Sequence, residues 1–256
     1  MLTFLLFIIG TSVQGALWRG GSLAKKNCTD VILQGSSWSY SWRPFHPCPN
    51  QANFKKNVQW VPMIFRASDL SYISTVKQNG AKHLLGFNEP NAANQAAMTV
   101  QQALNAWPRL MKTGLILGSP ATTKFGALGP RSWLGQFMAG VKRRKYRVDF
   151  ICLHWYARGD QKVNDFRKFL RNITNTYPGY PLWITEFGHG TGNIQDEIKF
   201  MNGAYWMFKK EFPNVERYAW FTNRWSNPTT GFNKWNLNTQ NGLTKVGKKY
   251  KSFPRK

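Results

Sequence analysis

Trp183-Ile184-Thr185-Glu186-Phe187-Gly188 is a run of bulky and β-branched residues that ends in a carboxylate, an aromatic ring and a glycine. Such density without polar alternation fits a strand covered on both faces, as in a parallel sheet. A carboxylate is costly to bury alone, so Glu186 belongs where the strand emerges into a loop. Gly86-Phe87-Asn88-Glu89-Pro90 has the same form. Glu89, Glu186, Glu197, Glu211 and Glu216 are the only glutamates, and two of them fall at strand ends.

Working outward, the runs 58–65, 83–87, 115–119, 149–156, 181–187 and 215–222 are all apolar and strand-like. Between them lie helical patterns. Phe166, Phe169, Leu170 and Ile173 share one helix face, as do Ile198, Met201, Tyr205 and Phe208. Asp69 is expected to cap a helix over 70–79 that Gly80 ends. Pro108 is expected to kink or break a helix around 96–111. The strand spacing suits βα units. Segments 35–42 and 235–243 are expected to supply a first and a last strand, which makes eight and predicts a single-domain (β/α)8 barrel of the TIM type. An open doubly wound sheet is the weaker alternative, because no glycine-rich phosphate loop follows a strand. The region 223–241 reads as a long loop on the substrate face.

The chain has 256 residues with 35 Lys+Arg against 11 Asp+Glu, a net charge of +24. Basic residues cluster at Lys25-Lys26, Lys55-Lys56, 142–147, Lys209-Lys210 and 245–256. Such a surface attracts an anionic extracellular polymer or surface. It carries no nucleic-acid-binding signature. The apolar stretch 2–9, followed by small and polar residues, reads as a secretory signal peptide within residues 1–16. The expected mature domain is 17–256, secreted, monomeric and without a membrane span. Cys28 and Cys48 are free to pair in an oxidising compartment, and Cys152 lies in a buried-strand pattern. Asn27-Cys28-Thr29 and Asn172-Ile173-Thr174 match the glycosylation acceptor pattern. No metal-ligand spacing and no cofactor motif is legible; His46 with Cys48 lacks further ligands.

In a barrel, catalytic residues project from the C-terminal strand ends. Glu89 and Glu186 fall there, three βα units apart, obliquely facing across the mouth. Paired carboxylates of this kind cleave glycosidic bonds, as acid and nucleophile when roughly 5–5.5 Å apart. Asn88 precedes Glu89 and is placed to hydrogen-bond a sugar hydroxyl. His154-Trp155-Tyr156 ends another strand, with His154 to orient a carboxylate and Trp155 or Tyr156 to meet a sugar face. Trp38, Tyr40, Trp42, Trp220 and Trp225 are further sugar-contact candidates. Ser119-Pro120-Ala121 is read as cleft floor.

Leu85-Gly86-Phe87-Asn88-Glu89-Pro90-Asn91, Leu117-Gly118-Ser119-Pro120-Ala121, Val148-Asp149-Phe150-Ile151 with His154-Trp155-Tyr156, and Trp183-Ile184-Thr185-Glu186-Phe187-Gly188 together resemble glycoside hydrolase family 128. The resemblance runs in order from about residue 38 to about 250. It implies a (β/α)8 barrel that cleaves β-1,3-glucan with retention, Glu89 acting as acid/base and Glu186 as nucleophile. Asn91 stands where the family more often has Asp, and the charge exceeds what a neutral glucan requires. Two other readings stand beside it: a non-catalytic matrix or polysaccharide-binding protein on the same scaffold, and a cationic defence protein acting on cell walls or membranes.

Overall fold

The computed structural model describes residues 16–24, 27–157, 161–225 and 235–254. Eight parallel strands form a closed ring: β1 (Trp18–Ser22), β2 (Trp38–Tyr40), β3 (Gln59–Trp60), β4 (His83–Leu84), β5 (Ile116–Leu117), β6 (Ile151–Tyr156), β7 (Leu182–Gly188) and β8 (Val215–Trp220). Six of them run in the order β3-β2-β1-β8-β7-β6, and β4 pairs with β5. Single parallel bridges, Met63 to Leu85 and Gly118 to Phe150, join the two parts and close the (β/α)8 barrel. Helices α1 (Cys28–Leu33), α2 (Ala52–Asn57), α3 (Val100–Met111), α4 (Trp133–Arg143), α5 (Val163–Thr176), α6 (Ile194–Glu211) and α7 (Lys245–Ser252) surround it. A 3-10 helix, Ala67–Thr75, stands between β3 and β4. Among the described residues no helix is long and apolar enough to cross a membrane.

Eight strands are present, but two differ from expectation. Trp18–Ser22 supplies the first strand, and 35–42 contains the second. The segment 235–243 holds instead a two-stranded antiparallel ribbon, β9 (Asn238–Thr239) with β10 (Gly242–Leu243), outside the barrel. Trp-Arg-Gly-Gly-Ser lacks the apolar density of its neighbours for a steric reason. A Cβ at Gly20 would lie 2.4 Å from the Trp38 indole, so the strand gives up side-chain volume to admit that ring. Pro108 does not break α3; it sits inside the helix, which continues to Met111. Thr99 caps this helix, accepting from Gln102 N while Gln102 Oε1 accepts from Thr99 N. Asp69 holds the 3-10 segment by accepting from Phe65 N and Arg66 N. The expected signal peptide falls almost wholly outside the described residues.

Two layers of core follow from strand alternation. Trp38, Tyr40, Val61, Met63, Leu85, Phe150, Cys152 and Trp183 fill the barrel. Leu84, Phe87, Leu117, Ile151, Leu153, Trp155, Ile184, Phe187, Tyr218 and Trp220 face outward to the helices. Burial pushes the Cys152 thiol well above its ordinary range, which keeps it inert. Ile184 and Phe187 both face the helices although a period of two would oppose them. A register shift between them absorbs the odd residue. It leaves Glu186 paired with His154 across β6 and β7.

A smaller cluster of Leu23, Cys28, Val31, Cys48, Phe54, Val58 and Trp60 packs under α1 and α2. There Cys28 and Cys48 form a disulfide across 20 residues. Asn27 caps α1 by accepting from Thr29 N, and Asn172 lies exposed on α5. Closing a loop of this length contributes about 3 kcal/mol through the unfolded chain. Cys28→Ser/Cys48→Ser should therefore lose about 3 kcal/mol in denaturant unfolding; an unchanged midpoint would show that the tie adds nothing.

Candidate active site

The carboxylates are set by backbone and by packing. Glu89 follows β4, where Asn88 bridges to Ala121 and Glu89 N donates to Ala121 O at 2.6 Å. Its φ is +41°, in the left-handed region that non-glycine residues avoid. Trp42, just past β2, has φ +52°. Such conformations cost about 1–3 kcal/mol each and persist where surrounding structure enforces them. Both residues turn their side chains into the same cleft.

Glu186 is 5% exposed. Its Oε1 accepts from Trp42 Nε1 at 2.7 Å and its Oε2 accepts from the Tyr156 hydroxyl at 2.5 Å. His154, 1% exposed, stands between the two glutamates. Its Nδ1 lies 2.9 Å from Glu89 Oε1, and its Nε2 lies 3.5 Å from Glu186 Oε1. An oxygen of each glutamate and a ring nitrogen of His154 fall within 4.8 Å of one another. Tyr40 supports this layer from inside the barrel, donating to Thr185 O at 2.8 Å and meeting Trp42 edge-on.

Electrostatics follow from that crowding. Burial pushes the Glu186 carboxyl above the ordinary carboxylate range, and the Glu89 charge adds to it. His154 and the hydrogen bonds from Tyr156 and Trp42 pull the other way without cancelling the rise. For His154 burial disfavours the charged ring, but Glu186 and the Glu89 hydrogen bond outweigh it, so its pKa is raised. Burial, then Glu186, holds the Tyr156 phenol well above its ordinary value, so it donates as a neutral hydroxyl.

Among the described residues Glu89, His154 and Glu186 are the one group with metal-ligand types in reach. Their atoms are already engaged with protein donors: Glu186 by Trp42 and Tyr156, Glu89 by His154. That donor set suits hydrogen bonding between the groups rather than a shared cation. Cys48 is in the disulfide, and His46 Nδ1 accepts from Cys48 N, which removes that pair as ligands.

A cleft of about 1130 Å³ opens above the carboxylates. Glu89, Glu186, Asn88 and Tyr156 line it, as anticipated, and so do Trp42 and Trp225. Asn88 donates to Gln95 Oε1 at 3.3 Å. Trp155, Trp38, Tyr40 and Trp220 are not on its surface. Trp155 faces the helices and stacks on Phe166 and Phe200. Trp38 and Tyr40 are fully buried inside the barrel. Trp220 is fully buried and donates to Trp235 O. Arg43, Phe45, Arg66, Tyr72, His189 and Phe221, which no sequence pattern singles out, also line the cleft. All but Tyr72, which lies in the 3-10 helix Ala67–Thr75, come from loops after strands, where no periodicity marks them. The loop 223–241 contributes Trp225 and Trp235; residues 226–234 lie outside the described set.

Known proteins are similar to this chain in sequence and in fold. The glycosyl hydrolase catalytic core model matches residues 15–250. Alkali-sensitive linkage protein 1 of Schizosaccharomyces pombe is 30% identical over 239 residues, 86% of this chain. The chain spans 41% of the length of that protein. A subgroup I endo-β-1,3-glucanase of glycoside hydrolase family 128 from Amycolatopsis mediterranei, solved with laminaripentaose, superposes with a TM-score of 0.80 at 30% identity, covering 92% of this chain and 98% of that one. A subgroup II endo-β-1,3-glucanase from Sorangium cellulosum superposes at 0.78 with 26% identity, covering 93% and 99%.

The Glu89 contact implies a titration result. In Glu89→Gln one of the two anions holding the imidazolium is gone. His154 should then lose its proton at lower pH than in the parent, as read by NMR of the ring nitrogens. An unmoved titration would mean that Glu89 does not govern the ring.

Proposed function

Because the chain belongs to the glycosyl hydrolase catalytic core family, we propose that it hydrolyses β-1,3-glucan by a two-step displacement that retains configuration. The observation that carries this reading is the approach of Glu89 and Glu186 oxygens to within 4.8 Å. That spacing suits direct attack by one carboxylate, whereas inversion needs roughly 6.5–9.5 Å to seat a water.

The two surroundings divide the roles. Trp42 Nε1 can only donate, and Tyr156 as a neutral phenol donates too, so both Glu186 oxygens are held as acceptors. That arrangement favours the anion required of a nucleophile. Glu89 faces an imidazole that titrates and can accompany proton gain and loss. In the first step a Glu186 oxygen attacks the anomeric carbon while the proton shared by His154 and Glu89 passes through Glu89 to the departing glycosidic oxygen. An ester between Glu186 and the sugar results. In the second step Glu89 takes a proton from water, the hydroxide attacks the same carbon, and the Glu186 carboxylate is released. The proton balance of Glu89 is restored.

Secretion belongs to the same reading. The Cys28–Cys48 disulfide suits an oxidising compartment, and the apolar leader 2–9 is consistent with export. The net charge of +24 favours retention near anionic polymer at low salt.

Purified protein should release oligosaccharides from laminarin. Glu186→Gln should lose about 10⁴-fold or more in kcat, since no ester can form. Glu89→Gln should lose about 10²–10⁴-fold on substrates with poor leaving groups. Binding of laminarin without release by the parent would replace hydrolysis with a binding role. Tyr156→Phe removes a hydrogen bond that lowers the Glu186 pKa. The acid limb of kcat/KM, set by ionisation of Glu186, should then move to higher pH. An acid limb that stays in place would detach Tyr156 from the nucleophile.

A further inference from the structure

The cleft is lined by charges of both signs, Glu89, Glu186 and Asp69 against Arg43 and Arg66. Its catalytic carboxylates are satisfied without any arginine: Trp42 and Tyr156 hold Glu186, and His154 holds Glu89. Yet Arg43 and Arg66 both line the cleft and are exposed. They stand just past β2 and β3, on two loops that touch. Met63 N donates to Arg43 O at 3.0 Å, and Phe45 meets Tyr72 edge-on at 5.4 Å. Neither guanidinium takes part in an ion pair among the described residues. Asp69 lines the same wall, but its Oδ2 is taken by the backbone amides of Phe65 and Arg66. The Arg66 guanidinium rests over the Phe65 ring, 4.8 Å from its centre, which holds the charge at the wall. Among the described residues, the facing wall of His189, Gly190, Phe221 and Trp225 carries no carboxylate.

A neutral glucan needs no guanidinium fork of this kind, because Arg presents a planar set of donors matched to carboxylate, sulfate and phosphate. Phe45 and Tyr72, 40% and 47% exposed, offer stiff rings beside it for a sugar face. We propose that Arg43 and Arg66 form an anion-recognising subsite in the cleft, so that the favoured substrate is a β-1,3-glucan carrying acidic groups. This rests on the glucanase reading for its backbone and adds the substituent. The acidic group sits on a ring bound by the β2 and β3 loops while a neighbouring ring occupies the carboxylates. The same polarity accounts for part of the surplus charge, since it brings an acidic polymer to the mouth of the barrel.

The test compares laminarin with lightly carboxymethylated laminarin, both by turnover in the parent and by fluorescence titration in Glu186→Gln. The parent should prefer the carboxymethylated polymer, and Arg43→Ala/Arg66→Ala should cut the ratio of acidic to neutral affinity about tenfold. Lys209→Ala/Lys210→Ala removes the same number of charges from the outer face of α6, where both lysines lie over Trp206, and should leave that ratio in place. High salt should shrink the preference, because charges more than about 8 Å apart are screened at 0.15 M. No preference for the acidic polymer in the parent, an unchanged ratio in the arginine variant, or an equal fall in the lysine variant would overturn the subsite. Turnover of neither polymer, with the binding preference intact, would sink the hydrolase reading and leave the anion subsite standing.

Discussion

One buried imidazole makes the barrel mouth possible. Two carboxylates with oxygens within 4.8 Å repel strongly where water is excluded. His154, held at 1% exposure between them, supplies the opposite charge to both. Its position comes from the β6–β7 register shift, which pairs it with Glu186. The left-handed turn at Glu89 brings the second carboxylate to it. Each piece is unfavourable alone: an ionised pair in low dielectric, a strained backbone, a buried histidine. Together they leave a set of acids and bases whose protons are shared, which is the state needed to deliver one proton and recover it.

Much of this was legible in the sequence because strands buried on both faces are dense in apolar residues, and a carboxylate among them stands out. Glu89, Glu186, His154 and Tyr156 were found that way. Seven of the eight barrel strands were also found; the first was missed, and 235–243, read as the last, is a ribbon outside the barrel. Trp-Arg-Gly-Gly-Ser shows no apolar run because Gly20 clears space for Trp38. A Cβ at Gly118 would likewise lie 2.5 Å from the Phe150 ring. Where a barrel is filled by a few large aromatic rings, neighbouring strands must shed side chains, and the pattern used to recognise strands disappears with them.

The aromatic assignments failed for two different reasons. Trp155 lies between His154 and Tyr156, so strand alternation turns it to the helices, where it stacks on Phe166. That could have been read from a period of two. Trp38 and Tyr40 share a face with Trp42, and only depth separates them; the first two fill the barrel while Trp42 reaches Glu186. Depth is a tertiary property. The wall residues Arg43, Phe45 and Arg66 come from loops after β2 and β3, and Tyr72 from the 3-10 helix that follows β3, where no period marks them. Folding decided which of many basic and aromatic residues meet there.

The stereochemistry of the first product addresses the pairing of Glu89 and Glu186 most directly. Proton NMR of laminarihexaose taken immediately after addition of enzyme should show the new reducing end as the β anomer, with the α form growing only by mutarotation. The α anomer appearing first would require water to sit between the carboxylates, and the close approach of the two side chains around one sugar would have to be abandoned.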